Sequence, residues 1–415
     1  MSYKLAYRCT ICNKKYPVDK ELYTCPECGE TGILDIEYDY KKIAEVFTKA
    51  KLSSSKEYSL WRYLPLLPVE ESFTKNSLRV GWTPLYKFAD LALKYNTKAI
   101  YIKDDGQNPT QSLKDRASVV ACVKALELNQ KVISCSSTGN AASSLAGNAA
   151  KMGLKTVIFV PERAPIGKLT QIQAFGSQLI KVKGDYKAAY EMSKAAINHF
   201  GFYNRNAAIN PNLIEGKKTV ALEIAEQLNF KPTEWIVVSV GDGCTIGGVY
   251  KGFYDLFNLN FIKKIPKILG VQSSGCNPFY QAYKNNLDYL EETDELTVAD
   301  SISVGIPRNP VKGLNAVKKS QGAFIEVSDE EILSAIKELA SQTGIFAEPA
   351  AAASFAGFKK ARRKAIISSE EEVTIIITGN GLKDPNNARK VLEEPLAVEP
   401  VFEKIKHILN IERRT

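Results

Sequence analysis

A chain of 415 residues is long for one hydrophobic core, and at roughly 100 to 200 residues per domain it should form two or three domains. With 45% hydrophobic and 24% charged residues it lies far from disordered, collagenous or disulfide-scaffold compositions. The formal charge of +9 is spread along the chain among acidic residues, which disfavours nucleic acid as a partner and better suits a small anionic ligand. Met1-Ser2-Tyr3-Lys4-Leu5 opens the chain without the apolar region of a secretory leader. No apolar run reaches the roughly 18 residues needed to cross a bilayer. A cytoplasmic location without membrane attachment is therefore expected, and in that reducing setting the eight cysteines are read as ligands or buried thiols before disulfides.

The first element in chain order is a cysteine unit. Cys9, Cys12, Cys25 and Cys28 form C-x2-C, twelve residues, C-x2-C, a spacing that lets two knuckles converge on one tetrahedral ion. A closed structural zinc ribbon follows, with two disulfides as the rival reading. A catalytic zinc is disfavoured, because four thiolates leave no position for water.

From about Lys98 onward, short apolar runs alternate with amphipathic segments, the rhythm of doubly wound α/β architecture with more than one sheet. Strands are predicted at Ala99 to Lys103, Lys131 to Cys135, Lys155 to Val160, Gln178 to Val182, Trp235 to Val240, Ile268 to Gln272 and Val373 to Thr378. Helices are predicted around Leu113 to Leu128, Asn140 to Lys151, Tyr186 to His199, Lys217 to Leu228 and Glu330 to Gln342. The basic run Lys359 to Lys364 reads as a solvated helix face.

Open α/β sheets bind ligands where strand ends pass into helix N-termini, so four such passages are candidates. In the first, Asn108-Pro109-Thr110-Gln111-Ser112-Leu113-Lys114-Asp115-Arg116, Ser112 is expected to cap a helix with Asp115 completing a capping box. Lys114 then lies in the first turn, where the helix dipole disfavours an ammonium and favours the neutral amine needed for Schiff-base chemistry. Plain solvation is the alternative for such a lysine. In the second, Ser137-Thr138-Gly139-Asn140 offers donors to an anion such as a carboxylate, although capping explains part of it. In the third, Gly241-Asp242-Gly243-Cys244-Thr245 suits a phosphate cup or an ordinary glycine turn, and its glycine spacing is not that of a dinucleotide site. The fourth, around Thr378-Gly379-Asn380-Gly381, is another wall for the same site.

Together these segments resemble the fold-type-II pyridoxal-phosphate (PLP) enzymes, and within them the threonine synthases, over about Gly81 to Asp384. Thr83-Pro84-Leu85, Glu215-Gly216-Lys217-Lys218-Thr219, Glu348-Pro349-Ala350 and Thr378 to Asp384 add to the likeness. The resemblance implies two open α/β domains behind the ribbon: 1–35 the ribbon, 36–110 with 205–415 a large domain, and 111–204 a small one. It implies PLP held by Lys114 as a Schiff base, Asn140 on the cofactor's ring hydroxyl, and Gly241, Asp242, Gly243, Cys244 and Thr245 around its phosphate. Thr378 would face the ring nitrogen, where a hydroxyl favours elimination over transamination. Ser137 and Thr138 would grip the substrate carboxylate.

The implied reaction converts O-phosphohomoserine and water to threonine and phosphate, in a homodimer. The sequence departs from the family pattern at Ala207, Ala208 and Leu213, where threonine synthases carry Asn, Ser and Arg for the substrate phosphate, and at Ala141, where threonine is common. Arg205, Lys168 and Arg308 are the candidate replacements. The departures keep open a β-replacement on O-phosphoserine, as in cysteate synthases, or a serine/threonine dehydratase. A non-enzymatic zinc-ribbon protein binding nucleic acid has only the ribbon and the net charge in its favour.

Overall fold

The computed structural model describes residues 2–162, 166–184, 186–206 and 208–409, with the side chains at 166–168, 186, 403, 406 and 407 outside the description. The chain opens with strands β1 (Lys4–Cys9), β2 (Lys15–Tyr16), β3 (Thr24–Cys25) and β4 (Gly29–Tyr38), an antiparallel ribbon in the order β2-β1-β4-β3. Along β4 the inward residues Leu34, Ile36 and Tyr38 are buried at the period of two expected of a strand with one covered face. With Tyr7 and Cys9 they join the same apolar cluster as Val220 and Phe253 of the main body, so the ribbon is roofed by the rest of the chain.

Helices α1 (Tyr40–Val46) and α2 (Lys49–Ser54) lead to β5 (Leu85–Lys87), α3 (Ala89–Lys94), β6 (Ala99–Asp104) and α4 (Lys114–Glu127). Then come β7 (Val132–Ser136), α5 (Asn140–Met152), β8 (Lys155–Pro161), α6 (Ile166–Ala174), β9 (Gln178–Val182), α7 (Tyr186–Phe200) and β10 (Tyr203–Asn204). The remainder runs α8 (Pro211–Gln227), β11 (Trp235–Ser239), α9 (Cys244–Asn258), β12 (Lys267–Ser273), α10 (Pro278–Lys284), α11 (Pro310–Lys319), β13 (Ala323–Val327), α12 (Asp329–Thr343), α13 (Pro349–Arg363) and β14 (Glu372–Ile377).

Two sheets result. A parallel four-stranded sheet has the order β10-β7-β8-β9, and a six-stranded sheet has the order β13-β12-β11-β14-β6-β5, parallel except for β5 at its edge. All seven predicted strands form within one residue of their expected ends. The unforeseen β5, β10 and β13 are short or at sheet edges, where few apolar residues are needed. Helix α8 starts six residues before its expected Lys217, because the Asn210 side chain accepts from Asn212 N at 3.1 Å and Pro211 takes the first helical position.

Helix α4 lies between the sheets and is buried all round from Asp115 to Ala125. It meets α8 at Gly216, where an added Cβ would come 2.1 Å from Arg116 O. This contact requires glycine. Beside it Arg116 donates to Asp105 at 2.7 and 2.8 Å and to Glu223 at 2.8 Å, and Lys103 Nζ lies 2.7 Å from Glu223, all four side chains being fully buried. The network ties β6, the start of α4 and the middle of α8 into one unit that carries Lys114.

The charged residues of the basic run Lys359 to Lys364 are exposed or half-buried, as expected of a solvated face, and several of them are also paired. Lys360 and Arg363 pair with Glu331 at 3.1 and 2.7 Å, Lys359 pairs with Glu338, and Arg362 caps the carbonyl of Tyr95 at 3.2 Å, so the run clamps α13 to α12 and to the end of α3. Among the described residues no helix is long and apolar enough to cross a membrane.

Candidate active site

Three neighbouring strands of the large sheet deliver three of the four predicted segments to one place. β11, β14 and β6 lie side by side, with Ile377 paired to Asp104 at the ends of β14 and β6. Beyond those ends, Leu113 N donates to Thr378 O at 2.8 Å and Asn380 N to Gln111 O at 3.1 Å, so the segment before Lys114 continues a ladder with the segment after β14. Thr378 thus pairs through its backbone with Leu113, the residue before Lys114. The fourth segment, Ser137 to Asn140, arrives from the end of β7 in the smaller sheet.

The local structure before Lys114 differs from the expected capping box. Ser112 does not cap: α4 begins after Leu113 without a side-chain cap, and Ser112 Oγ has no hydrogen-bond partner among the described residues. Asp115 instead folds back to accept from Thr110 N and Oγ1 at 2.8 Å each and from Asn148 Nδ2 at 2.7 Å. Burial outweighs these three donors and pushes its carboxyl up to about 6. The carboxylate thus fixes the loop that presents Lys114, a role spacing alone could not separate from capping.

Burial pushes the Lys114 ammonium down to about 8, and the charges of Lys217 and Arg205 push the same way while Glu348 opposes them. A lowered lysine was expected from the helix dipole; the resolved causes are desolvation first and neighbouring cations second. Arg205, 1% exposed, donates Nε and Nη2 to Ser118 Oγ at 3.1 and 3.0 Å and forms no ion pair among the described residues. Burial pushes it down too.

The phosphate-cup candidate opens α9. Gly243 has φ of +83° and approaches Asn309 O so closely that a Cβ would lie 2.4 Å away, so the turn requires glycine. Asp242 accepts from the Arg308 N–H at 2.6 Å, and burial pushes its carboxyl up. Thr245 lies partly exposed in the first turn, and Cys244 is buried. Of the other replacement cations, Arg308 stacks on Tyr190 at 3.8 Å, the Lys168 side chain lies outside the described residues, and Ala207 is also outside them.

A cleft of about 310 Å³ lies between the sheets, lined by Thr138, Asn140, Ser143, Glu348 and Lys383 among others. Ser137 Oγ accepts from Gly139 N at 3.2 Å, which shapes the turn, and Thr138 stays half-exposed at the wall. Asn140 donates to both Glu348 oxygens at 2.8 and 3.0 Å. Two residues here had no role in the sequence reading. Glu348, just before Pro349, biases Lys114 and Lys383 toward their charged forms. Lys383 crosses the cleft to Ser143 Oγ at 3.0 Å and Gln171 Oε1 at 2.7 Å. Their segments were visible as family-like motifs, but only the fold brings them opposite Asn140.

The donor set fits PLP. A half-buried amine lowered to about 8, a glycine-lined helix start able to hold a phosphate, and two buried cations, Arg205 and Lys217, without carboxylate partners among the described residues are the groups an anionic aldehyde needs. In the ribbon, the four sulfurs of Cys9, Cys12, Cys25 and Cys28 lie within 4.8 Å of one another, with Cys12 and Cys25 at 3.8 Å. Tetrahedral zinc with bonds of 2.3 Å needs sulfurs about 3.8 Å apart. Ile11 N and Cys28 N donate to Cys9 and Cys25 sulfur at 3.4 Å, so backbone donors face the thiolates.

Residues 77–379 match the profile of the family described as "Pyridoxal-phosphate dependent enzyme", and the chain belongs to that family. It is a PLP-dependent lyase of the fold-type-II architecture. Within the family it stands among the threonine synthases. It is 40% identical to the threonine synthase of Methanocaldococcus jannaschii and 38% identical to that of Methanosarcina acetivorans, each alignment covering 97% of this chain and 98% of the relative. The Mycobacterium bovis threonine synthase is 34% identical over 82% of this chain and 92% of its own. In architecture the chain is similar to threonine deaminase isoform 2 of Solanum lycopersicum, with a TM-score of 0.64, 20% identity and coverage of 80% and 92%. It is also similar to maize serine racemase, with a TM-score of 0.61, 21% identity and coverage of 72% and 89%.

Proposed function

We propose that this chain converts O-phosphohomoserine and water to threonine and inorganic phosphate. The observation that carries the reading is the meeting of Lys114, Thr378 and the Gly241 to Thr245 turn at the ends of three adjacent strands, beside Arg205 and Lys217, which have no carboxylate partner among the described residues. When bound, PLP supplies an electron sink for charge developing on the amino acid's carbon chain. Lys114 would hold the cofactor and would move protons on and off the substrate carbons; an amine lowered to about 8 can do both near neutral pH. Gly241, Asp242, Gly243, Cys244 and Thr245 would hold the cofactor phosphate, Thr378 would serve the ring nitrogen, and Asn140, which donates to Glu348, would serve the ring hydroxyl. Ser137 and Thr138 bind the substrate carboxylate, and Arg205 contributes charge toward the substrate phosphate.

Purified holoenzyme given O-phosphohomoserine should release phosphate and threonine in equal amounts. Absence of both products rejects the reading. A second reading has one specific support. Ala208 and Leu213, where relatives place phosphate ligands, are buried in apolar surroundings and offer no side-chain donor. Dehydration of serine or threonine, which carry no phosphate, would then be the activity, and 2-oxo acid formation would reveal it.

The ribbon holds a structural zinc, supported by the sulfur spacing. The division into a ribbon at 1–35, a large domain of 36–110 with 205–415 and a small domain at 111–204 is supported by the β7 to β10 sheet falling wholly within the last range. A homodimer is the proposed assembly, and sedimentation equilibrium tests it.

A further inference from the structure

Lys217 is a buried lysine, 3% exposed, that no hydrogen bond or ion pair holds among the described residues. The next residue shows the contrast: Lys218 is fully buried too, but it is held by Glu215 and by Asp255 at 2.5 Å. A charge of this kind is costly unless something anionic occupies the space in front of it.

The surroundings say what its stem packs against. Lys217 lies one helical turn after Leu213 on α8, and helical side chains lean toward the N-terminus, so its stem covers the turn that Leu213 begins. Across from it, a Cβ added to Gly248 would sit 3.1 Å from Lys217 Cβ, which places the stem against the first turns of α9. Ala208, Ile214 and Cys244 pack together at the same corner, and Asn309 Nδ2 bridges Ala208 O at 3.3 Å and Cys244 sulfur at 3.7 Å. Lys217 also acts on Lys114, lowering it. Burial lowers Lys217 itself, opposed by Cys244 and Asp242 and reinforced by Arg205. Lys114, itself half-buried, therefore faces two buried cations, Arg205 and Lys217, and none of the three has an ion-pair partner among the described residues.

We propose that Lys217, backed by Arg205, is the specificity-determining cation for the phosphate of the substrate, standing in for the ligands that Ala208 and Leu213 do not provide. The inference rests on the reading that the substrate carries a phosphate and deepens it by naming the group that recognises it. Helix register makes the exchange workable: a lysine at i+4 reaches back over the position where the usual ligand would start.

The test uses PLP-loaded protein and inorganic phosphate as the probe, with Lys217→Gln and Lys217→Arg as variants. Calorimetric titration should show phosphate binding to the wild type. In Lys217→Gln that binding should weaken about 10- to 100-fold, the size of losing one charge-assisted contact. Lys217→Arg should keep most of it. Threonine, which has no phosphate, should bind all three proteins alike, and the dissociation constant for PLP, measured on the high-pH plateau where Lys114 is neutral in every variant, should stay within about twofold. The cofactor-free Lys217→Gln chain should melt no lower than the wild type, because an uncompensated buried charge has been removed. Unchanged phosphate affinity in Lys217→Gln, or a matching loss of PLP affinity, overturns the proposal; the latter assigns the ammonium to the cofactor's own phosphate. A fall in melting temperature without a change in phosphate binding also overturns it. Because the titration needs no turnover, a wild type that binds phosphate through Lys217 yet leaves O-phosphohomoserine intact would reject the proposed reaction and leave this assignment standing.

Discussion

At the residue scale, the chemistry depends on how one amine is made neutral. Lys114 sits among Lys217 and Arg205 in a desolvated corner, and both effects lower its pKa to about 8. A lowered lysine loses its proton early as pH rises, so the neutral amine dominates above about 8 rather than above the ordinary 10.5. The rate at which cofactor-free protein captures PLP should therefore climb with pH and reach half its maximum near 8, followed by stopped-flow absorbance. Lys217→Gln removes a neighbouring positive charge and should move that midpoint upward; a midpoint that stays put would separate the two lysines electrostatically. Asp115 shows how a residue can be singled out for the wrong reason. Spacing marked it as a capping partner of Ser112, but its three donors come from Thr110 and Asn148, and Asn148 lies a whole strand and helix further on.

At the element scale, α4 is the part that must not move, because Lys114 is its first residue. Its position is set by the Gly216 contact with α8 and by Arg116 between Asp105 and Glu223. Gly216→Ala forces α8 away from α4 and should cost about 1–3 kcal/mol in a denaturant titration, with activity falling alongside. Glu223→Gln leaves Arg116 and Lys103 short of one buried charge and should cost about 3–5 kcal/mol. An unchanged unfolding midpoint for either would mean that the elements are held by something else. The strands and long helices were legible because apolar runs such as Trp235 to Val240 and the buried faces of α7 and α12 repeat with a clear period. Edge strand β13 was not, since Ala323–Val327 is five residues long and holds a glutamate. The start of α8 was hidden because asparagines and Gly216 interrupt its apolar pattern. Within the site, the segments carrying Lys114, Asn140, Thr378 and the glycine turn could be read from strand-to-helix passages. Glu348, Lys383 and the isolation of Lys217 could not, because absence of a partner is a property of packing.

At the scale of the whole molecule, the ribbon touches the site's supports and is more than an appendage. Glu21 accepts from Asn212 at the start of α8, Tyr23 meets Tyr203 of β10 edge-on at 6.1 Å, and Lys312 of α11 reaches Asp35 at 2.6 Å and Leu34 O at 2.7 Å. These contacts flank the 204–213 segment that leads into α8. A Cys25→Ser, Cys28→Ser double variant should lose its zinc by elemental analysis and show a raised KM for the phosphorylated substrate with a smaller change in kcat. Unchanged kinetics after complete metal loss would confine the ribbon to stability. All these expectations presuppose one covalent fact, that Lys114 is the residue that holds the cofactor. Protein reconstituted with PLP, reduced with borohydride and digested should yield one pyridoxyl-labelled peptide, with the label on Lys114; a label on Lys217 or Lys383 instead, or no labelled peptide, would contradict the account.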